Sequence, residues 1–534
     1  MSSPDNSHRP TRQRYRAPAE SGQYMAVPEL SQSFELAQQN AELLDTASVE
    51  IAGEPLSELR KQARLEAVAR VREFAQTLGL KKQSPADFTS LVVVTGHQPV
   101  LAHPGVWVKN ACVDAVAQRA GGTGLNVVVD SDICSTQCIT APAGTAAAPL
   151  RSSLCFDAPQ PPQPWEETRT HSRKQLLGFG DAVADHQRAN WNIEPVAADY
   201  WGAITEYESE SLPELLTRAR VVQEAKWGWN NLEVALSKLS RTDSFLKLLL
   251  HICQNAVEFH RAYNASVRAY RSANGVKNHR HPVPDLAETQ QGQELPFWIW
   301  KSGASQRQPL YVRCIDSSLA LSTGTELIAE IPIADVPTAI AELKQFSSDW
   351  NIRPRALITT LYLRLFIADL FVHGIGGAKY DEITDQIIRD FLHLQPPAYL
   401  TLTATLRLPI VSSTSSADDV RKLKRSLRDL TYNPVAALSL PETHPLAIEQ
   451  RKLVAETQSG DREHSRERHQ KFLDIRRQLK PLIDERREAL QRELQMAQHQ
   501  LAANQILGNR EYAAILFPEE SLLELFDSVR NGIG

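Results

Sequence analysis

The chain lacks several features that define common classes of protein. Its 534 residues include only six cysteines, too few for a disulfide scaffold. It has no stretch of about 18 consecutive apolar residues, which a membrane-spanning helix needs. Its formal net charge is −5, whereas proteins that bind nucleic acid usually carry a basic surface. We therefore expect a cytoplasmic protein with reduced cysteines that contacts neither membrane nor nucleic acid.

The glycine fingerprints of nucleotide-binding proteins are also missing. The chain contains neither the Walker A pattern nor the closely spaced glycines of dinucleotide-binding folds, so no motif identifies a cofactor. Cys134 and Cys138 have a suggestive spacing, but no second pair with zinc-ligand spacing accompanies them. We therefore predict no metal site, and a reactive thiol at Cys134 stays open.

Length and composition predict more than one domain. The chain has 42% apolar residues and is long enough for two or three domains with a sizeable core. Residues 1–27 are polar and lack an apolar signal region, so we expect a disordered tail. We assign residues 28–410 to a core with insertions, 411–505 to a helical arm, and 506–534 to a segment that returns to the core.

The predicted arm begins where the composition changes, near Val411. Apolar residues spaced three and four apart run along it, namely Phe472, Ile475, Leu479 and Leu482. This spacing is typical of a coiled-coil seam, and Pro481 predicts a kink in it. We expect an antiparallel helical hairpin or arm.

Residues 91–132 predict a strand, a loop, a helix and a second strand. The apolar runs 91–94 and 127–129 flank a helical pattern over 106–120. This is the size of a βαβ unit, in which both strands end at the same edge of a parallel sheet. Open α/β sheets bind their ligands at that edge.

The residues at the predicted strand ends are the first candidates for a site. Gly96, His97, Gln98 and His103 crowd the loop. Lys109 lies in the first helical turn, where a cation opposes the helix dipole unless a bound anion offsets its charge. The alternatives are that His97 and Gln98 satisfy loop carbonyls and that Lys109 is solvated.

The second predicted strand ends in Asp130-Ser131-Asp132. The simpler role of these carboxylates is hydrogen bonding to a substrate hydroxyl or amine, and they could also cap the next turn. The pattern is also similar to the Asp-x-Asp of nucleotide-sugar transferases, where a divalent cation bridges to phosphates. A metal-dependent transferase is therefore one alternative function.

A second polar segment contributes further candidates. Strands are predicted over 294–300 and 310–314, with Arg307 in the loop between them. Glu294 could be a general base, and Arg307 and Arg313 could grip a carboxylate. An ion pair between Glu294 and an arginine is the alternative.

The third candidate segment is His-Gly-Ile-Gly-Gly-Ala-Lys-Tyr-Asp at residues 373–381, after a buried helix predicted over 356–372. Its glycines predict a positive φ or a close approach of a ligand to the backbone. We include Gly376, Gly377, Lys379 and Tyr380 as binding candidates. The alternative is a glycine cap followed by an ordinary turn.

These residues together resemble the BshC family, the cysteine-adding enzymes of bacillithiol biosynthesis. A strand followed by Thr95-Gly96-His97-Gln98-Pro99 is similar to the family's Thr-Gly-Gln-Gln-type loop, with His97 in the place of a Gln. Asp130 and Asp132 correspond to its acidic cluster. Residues 374–380 are similar to its glycine-rich turn followed by Tyr, and the arm with a short return segment is also similar.

The resemblance implies a fold, a reaction and an assembly. The fold is α/β, a Rossmann-like parallel-sheet core with helical insertions and a C-terminal coiled-coil arm. The reaction is amide formation between cysteine and a glucosaminyl malate, an amino-sugar conjugate. The assembly is a homodimer through the arm.

The leading hypothesis is a ligase or transferase acting on a small polar or anionic metabolite. His97, Asp132 and Glu294 are its catalytic candidates, the first two for proton transfer or amine positioning. Lys109 and Arg307 would bind anions. A non-enzymatic protein that works through its coiled coil is the other alternative.

Overall fold

The structure is a computed structural model that describes residues 15–80, 88–411, 413, 415–455 and 462–534. It divides into two compact units. The first comprises Met1–Ala141, Ser153–Arg407 and Arg510–Gly534, and the second comprises Pro142–Ser152 and Leu408–Asn509.

The strands, β1 to β18 in chain order, are Gln23–Val27, Glu50–Ile51, Glu54–Pro55, Val92–His97, Thr123–Val128, Ile133–Cys134, Cys138–Gly144, Pro149–Cys155, Gln163–Pro164, Leu232–Ala235, Glu288–Thr289, Gly292–Lys301, Gln308–Ile315, Ser318–Ser322, Leu327–Pro332, Trp350–Pro354, Leu370–His373 and Tyr399–Thr405. The helices, α1 to α18, are Ser33–Asp45, Leu56–Thr77, Pro104–Arg119, Arg173–Trp191, Ala197–Thr205, Leu212–Lys226, Leu236–Leu239, Asp243–Gln254, Ala256–Asn274, Val336–Phe346, Ala356–Tyr362, Ile375–Phe391, Ala417–Tyr432, Pro434–Ala437, Pro445–Ala455, Arg462–Gln478, Lys480–Leu507 and Glu519–Asn531. A π-helical turn, Leu363–Ile367, follows α11.

The first unit is built on a six-stranded sheet with the order β1-β18-β17-β4-β5-β10. All neighbours are parallel except β1, which pairs antiparallel with β18. Its central strands are short apolar runs, and Val92, Val93 and Val94 are fully buried. Such runs fit a sheet whose two faces are both covered. The protein is therefore a mixed α/β protein with a parallel-stranded sheet.

The order of the strands reverses at one point in this sheet. From β4 the chain proceeds through β5 to β10 on one side, and it later adds β17 and β18 on the other. The reversal therefore lies between β4 and β17, which end in His97 and His373. Ligands of open α/β sheets bind in the crevice that such a reversal leaves.

The predicted βαβ unit is confirmed. It consists of β4, α3 and β5, and the two strands pair in parallel from Val92 opposite Thr123 to His97 opposite Val128. The strands predicted around Glu294 and Arg313 also form, as β12 and β13 of a separate antiparallel sheet.

Two predictions of secondary structure are wrong. Residues 356–372 do not form one buried helix, because α11 and its π-helical turn end at Ile367 and Leu370–His373 is a central strand. A short apolar run fits a buried helix or a buried strand equally well. Gln23–Val27, expected in a disordered tail, is the strand β1; residues 1–14 of that tail lie outside the described residues.

The expectation of reduced cysteines is wrong for one pair. Cys138 and Cys155, at the open ends of the β7–β8 hairpin, are joined by a disulfide. Cys112, Cys134, Cys253 and Cys314 are free.

The second unit is mainly helical and has an apolar core of its own. The buried residues at its centre are Leu430, Leu453, Ile475, Leu479, Ile483 and Leu490. Of the predicted seam residues, Ile475 and Leu479 are buried in this core, whereas Leu482 is 46% exposed. The helix is interrupted beside Pro481, as predicted, since α16 ends at Gln478 and α17 starts at Lys480. No helix in the described parts of the chain is long and apolar enough to span a bilayer.

A buried carboxylate ties helix α2 to the central sheet. Asp369 accepts hydrogen bonds from Arg60 at 2.6 Å, Arg64 at 2.7 Å and the backbone N–H of Val92 at 2.7 Å. We expect Asp369→Asn to lower the free energy of unfolding by about 3–5 kcal/mol, because it leaves buried guanidinium groups uncompensated. Urea unfolding measures this loss. Asp390→Asn, at an exposed position, is the matched control and should change stability by less than about 0.5 kcal/mol; equal effects would contradict the prediction.

Candidate functional site

A cavity of about 700 Å³ lies at the carboxyl edge of the central sheet, where the strand order reverses. Ten of the predicted site residues line it: Gly96, His97, Gln98, His103, Lys109, Asp132, Arg307, Gly376, Gly377 and Tyr380. We call it the first cavity. The loop after β4 is therefore one wall of a larger pocket.

Lys109 brings an unneutralised charge to this cavity. Its side chain lies in the second turn of α3, the residue is only 4% exposed, and Nζ donates to the carbonyl oxygen of Gly96 at 3.3 Å. Among the described residues, no carboxylate lies within ion-pair distance of the ammonium. Burial lowers the pKa of Lys109 to about 8. A buried ammonium without a counter-ion is costly, so the site favours an anion.

Two helix N-termini also border the first cavity. Helix α3 starts after His103 and helix α12 starts after Gly374, and neither cap residue uses its side chain to accept the free N–H groups. Residues of both first turns line the cavity. Uncapped N–H groups and the helix dipole favour negative charge at this position.

Both predicted histidines are neutral at physiological pH. Burial, followed by the charge of Lys109, lowers the pKa of His97 to about 3. Burial and the charge of Arg510 lower the pKa of His103 to about 4. Nδ1 of His97 lies 3.1 Å from the carbonyl oxygen of Gln98, so a neutral ring keeps Nε2 as an acceptor. Nδ1 of His103 is buried and has no hydrogen-bond partner.

Asp132 is held by three donors. It accepts hydrogen bonds from Gln98 at 2.7 Å, Arg307 at 2.9 Å and the backbone N–H of Ile133 at 2.8 Å. Burial alone would raise the pKa of Asp132, but these donors outweigh it and lower the pKa. A carboxylate held in this way is a weak base, and it serves instead to orient Gln98 and Arg307 at the cavity wall.

Two guanidinium groups lie over the ring of Trp298 on that wall. Arg307 lies 4.5 Å and Arg355 4.1 Å from the centre of its ring. Glu294 forms an ion pair with Arg355 at 2.8 Å and does not line the cavity. The proposed catalytic role of Glu294 is therefore not favoured, and the ion-pair alternative describes it, with a partner that the sequence did not indicate.

His373 is a site residue that the sequence candidates missed. It ends β17, lines the first cavity and is only 4% exposed. Its Nε2 lies 2.6 Å from Oδ2 of Asp381, which also accepts from Arg364 at 2.8 Å and Thr360 at 2.5 Å. Burial would raise the pKa of Asp381, but His373 and Arg364 hold it well below its usual range. The arrangement orients the imidazole as an aspartate does beside a general base.

The glycines after His373 serve two different purposes. None has the positive φ that the sequence predicted. A Cβ at Gly377 would lie 2.7 Å from Nδ1 of His373, whereas a Cβ at Gly374 or Gly376 would meet nothing within 4 Å. Gly377 therefore leaves room for the imidazole, and Gly374 and Gly376 leave the backbone open to the cavity.

We expect Gly377→Ala to displace His373 and Gly376→Ala to leave it in place. The first should weaken ligand binding about tenfold and shift the NMR signals of the His373 ring. The second should leave the His373 ring signals unchanged and raise the melting temperature slightly, because alanine favours a helix. Equal effects of the two variants would contradict this role of Gly377.

Three further candidates lie outside the first cavity. Asp130 faces a separate cavity of about 380 Å³ and accepts hydrogen bonds from the N–H and hydroxyl of Ser237. Arg313 is exposed and donates to the carbonyl of Gln290. Lys379 is exposed and does not line the cavity. The binding roles predicted for these residues in one shared pocket are wrong.

The arrangement does not favour a metal site. Asp130 and Asp132 face different cavities because the chain turns after β5. Nowhere in the described chain do three His, Cys, Asp or Glu side chains form a group that could hold a metal ion. Burial raises the pKa of Cys134 and keeps its thiol protonated, so the reactive-thiol alternative gains no support.

Arg510 is a second residue missed by the sequence. It follows the helical arm in the chain but belongs to the first unit, where it lines the first cavity. It donates to the carbonyl of Ala404 at 3.3 Å and to Thr405 at 3.2 Å. No local pattern around residue 510 indicated this position.

Comparison of the chain with models of protein families and with curated proteins finds no match.

Proposed function

We propose that the protein is a ligase or transferase of the BshC type that acts on a small polar or anionic metabolite in the first cavity. The observation that carries the proposal is Lys109, a buried ammonium with no carboxylate beside it among the described residues. An anionic group of the substrate would supply the missing charge. The two uncapped helix N-termini would add hydrogen-bond donors to the same group.

His373 is the proposed general base. In amide formation from an activated acyl group such as an acyl phosphate, an amine attacks the acyl carbon, a C–N bond forms, the C–O bond to the phosphate leaving group breaks, and the attacking nitrogen loses a proton. His373 would accept that proton, and Asp381 would stabilise the imidazolium. His97, neutral and with Nε2 free to accept, would orient the amine. His97 is thus the proposed residue that positions the amine.

The order of the strands supports a Rossmann-like core. Numbered by their appearance in the chain, the parallel strands follow the order 3-2-1-4-5, which is typical of doubly wound dinucleotide-binding folds. Here the edge position is taken by the antiparallel strand β1. The phosphate-binding glycines of those folds are missing from the loop after β4, which supports a ligand other than a dinucleotide.

A substrate assay tests the proposal. The purified chain is incubated with cysteine and glucosaminyl malate, with and without ATP and Mg²⁺ to activate the carboxyl group, and the amide product is sought by mass spectrometry. In parallel, the melting temperature is measured with succinate, inorganic phosphate and glucosaminyl malate at constant ionic strength, with N-acetylglucosamine as the neutral control. We expect anions to stabilise the protein and the neutral sugar not to; a chain that neither responds to anions nor forms product would overturn the proposal.

Assembly and location are part of the same proposal. Leu473, Leu482 and Met496 on α16 and α17 are 39%, 46% and 58% exposed and would pack against a second copy as a homodimer. A cytoplasmic location requires that the Cys138–Cys155 disulfide be open in cells, because disulfides are rare in the cytoplasm. Thiol labelling of the protein taken directly from cells therefore tests the cytoplasmic location, and light scattering tests the homodimer.

A further inference from the structure

We propose that Arg271 is a positioning residue that holds residues 277–285 in place as one wall of the first cavity. We call this segment the strap. The proposal deepens the proposed function, because it assigns the element that defines access of a small anion to that site. It rests on the hydrogen bonds of one guanidinium group.

The strap cannot be held by a neighbouring strand. It contains Pro282 and Pro284, which have no N–H to donate, and it has neither helix nor strand structure. Its carbonyl oxygens still need donors. Arg271 supplies them: it donates to the carbonyls of His279, His281 and Val283, the last at 2.5 Å. These carbonyls can converge on one guanidinium because the strap is turned: the N–H of His281 donates to the carbonyl of Asn278 at 3.1 Å, and residues 281–283 bend.

Arg271 is itself firmly placed. It lies in the last turn of α9 and is only 7% exposed. Its remaining contact is an ion pair with Asp285 at 2.8 Å, at the far end of the strap. Just beyond, Leu286 exchanges two hydrogen bonds with Asn264 of the same helix, at 2.8 Å and 3.0 Å. The strap is thus held along its length by one side chain and anchored at its end by another.

The strap contributes directly to the first cavity. Val283 and Pro284 line it, and the ring of His281 lies 6.4 Å from that of Tyr380, which also lines it. Lys277 and Arg280 of the strap are exposed. The wall therefore presents an apolar surface to the cavity and cations to solvent, and those cations would attract an approaching anion.

The geometry requires an arginine at this position. A guanidinium has five N–H donors in a fixed plane and can reach several carbonyls and a carboxylate at once. A lysine keeps the charge but concentrates three donors at one atom. Arg271→Lys therefore separates the charge of this residue from its ability to span the strap, and Arg271→Ala removes both.

Limited trypsin digestion of the native full-length chain measures the strap directly. Cleavage after Lys277 and Arg280 should be at least tenfold faster in Arg271→Ala and Arg271→Lys than in the wild type. Arg268→Ala is the matched control, because Arg268 is exposed, lies on the same helix and donates to Asp285 at 3.4 Å without bonding to any carbonyl of the strap. It should cleave like the wild type. Unchanged cleavage in both Arg271 variants would overturn the proposal.

Hydrogen exchange tests the role of the strap as a cavity wall without a ligand. In Arg271→Ala, exchange should accelerate in the strap and in residues 375–380 at the start of α12, but not in the distant strand β15. Acceleration in the strap alone would overturn the wall assignment. Succinate separates this result from the proposed function: an anion site should protect the wild-type strap from trypsin. Absence of that protection would count against the anion site, while the cleavage and exchange results would still decide the role of Arg271.

Discussion

Lys109→Met is expected to weaken anion binding in the first cavity by about 100-fold or more, because the ammonium is a buried charge that the ligand would complement. Titration calorimetry with succinate or glucosaminyl malate measures the loss. Lys379→Met is the matched control, because Lys379 is exposed and lies outside the cavity. Equal affinities of wild type and Lys109→Met would contradict the anion site.

The same substitution should make the ligand-free protein more stable. Burial lowers the pKa of Lys109 from the ordinary value of 10.5 to about 8. Such a shift corresponds to a destabilisation on the order of 3 kcal/mol at neutral pH. Because the unfolded chain keeps its proton to a higher pH, wild-type stability should rise as pH increases from about 8 towards 10.5. The free energy of unfolding of Lys109→Met, measured as a function of pH, should lack this part of the increase.

Asp381→Asn is expected to lower turnover by about 10³- to 10⁴-fold, because an amide cannot hold the His373 ring and stabilise its charged form in the same way. Substrate affinity should change much less, since Asp381 does not line the cavity. A fall in kcat with little change in KM would therefore support the role of Asp381 in orienting His373. Asp385→Asn is the control: it also removes an ion pair with Arg364 but leaves the contact between His373 and Asp381 intact.

Both substitutions should lower stability, so stability alone does not distinguish them. Burial opposes the charge on Asp381, but His373 and Arg364 outweigh it and hold its pKa well below the usual range. The carboxylate therefore stabilises the fold above its unfolded pKa of about 4, and this contribution is lost as pH falls towards the folded value. The stabilities of wild type and Asp381→Asn should converge in acid. A loss of turnover in Asp385→Asn equal to that in Asp381→Asn would contradict the catalytic assignment.

Local patterns sufficed for the βαβ unit. The runs 91–94 and 127–129 and the helical spacing between them are adjacent in sequence, and parallel pairing then fixes which ends meet. Residues at the end of β4 were therefore placed correctly. The sequence does not single out His373, because the helix predicted over 356–372 hides the second strand end at the reversal point. An apolar run of four residues carries no period that separates the two structures.

Contacts between residues distant in sequence could not be predicted from the sequence. Glu294 pairs with Arg355 and not with Arg307 or Arg313, and Arg510 enters the site from beyond the helical arm. These contacts depend on how whole elements pack, and no spacing encodes them. For Asp130 and Asp132 the difficulty is the reverse: two residues close in sequence were predicted to share one site. A turn separates their side chains, so that they face two different cavities.

The strand Gln23–Val27 has a practical consequence for handling the protein. A sequence-based design would remove residues 1–27 as a dispensable tail. That truncation would strip the antiparallel neighbour from β18 and leave the backbone groups of Thr401 to Thr405 without their partners in β1. An uncovered strand edge pairs readily with another chain. A shortened protein of this kind would self-associate through β18, and its loss from solution would be mistaken for a failure of the core to fold.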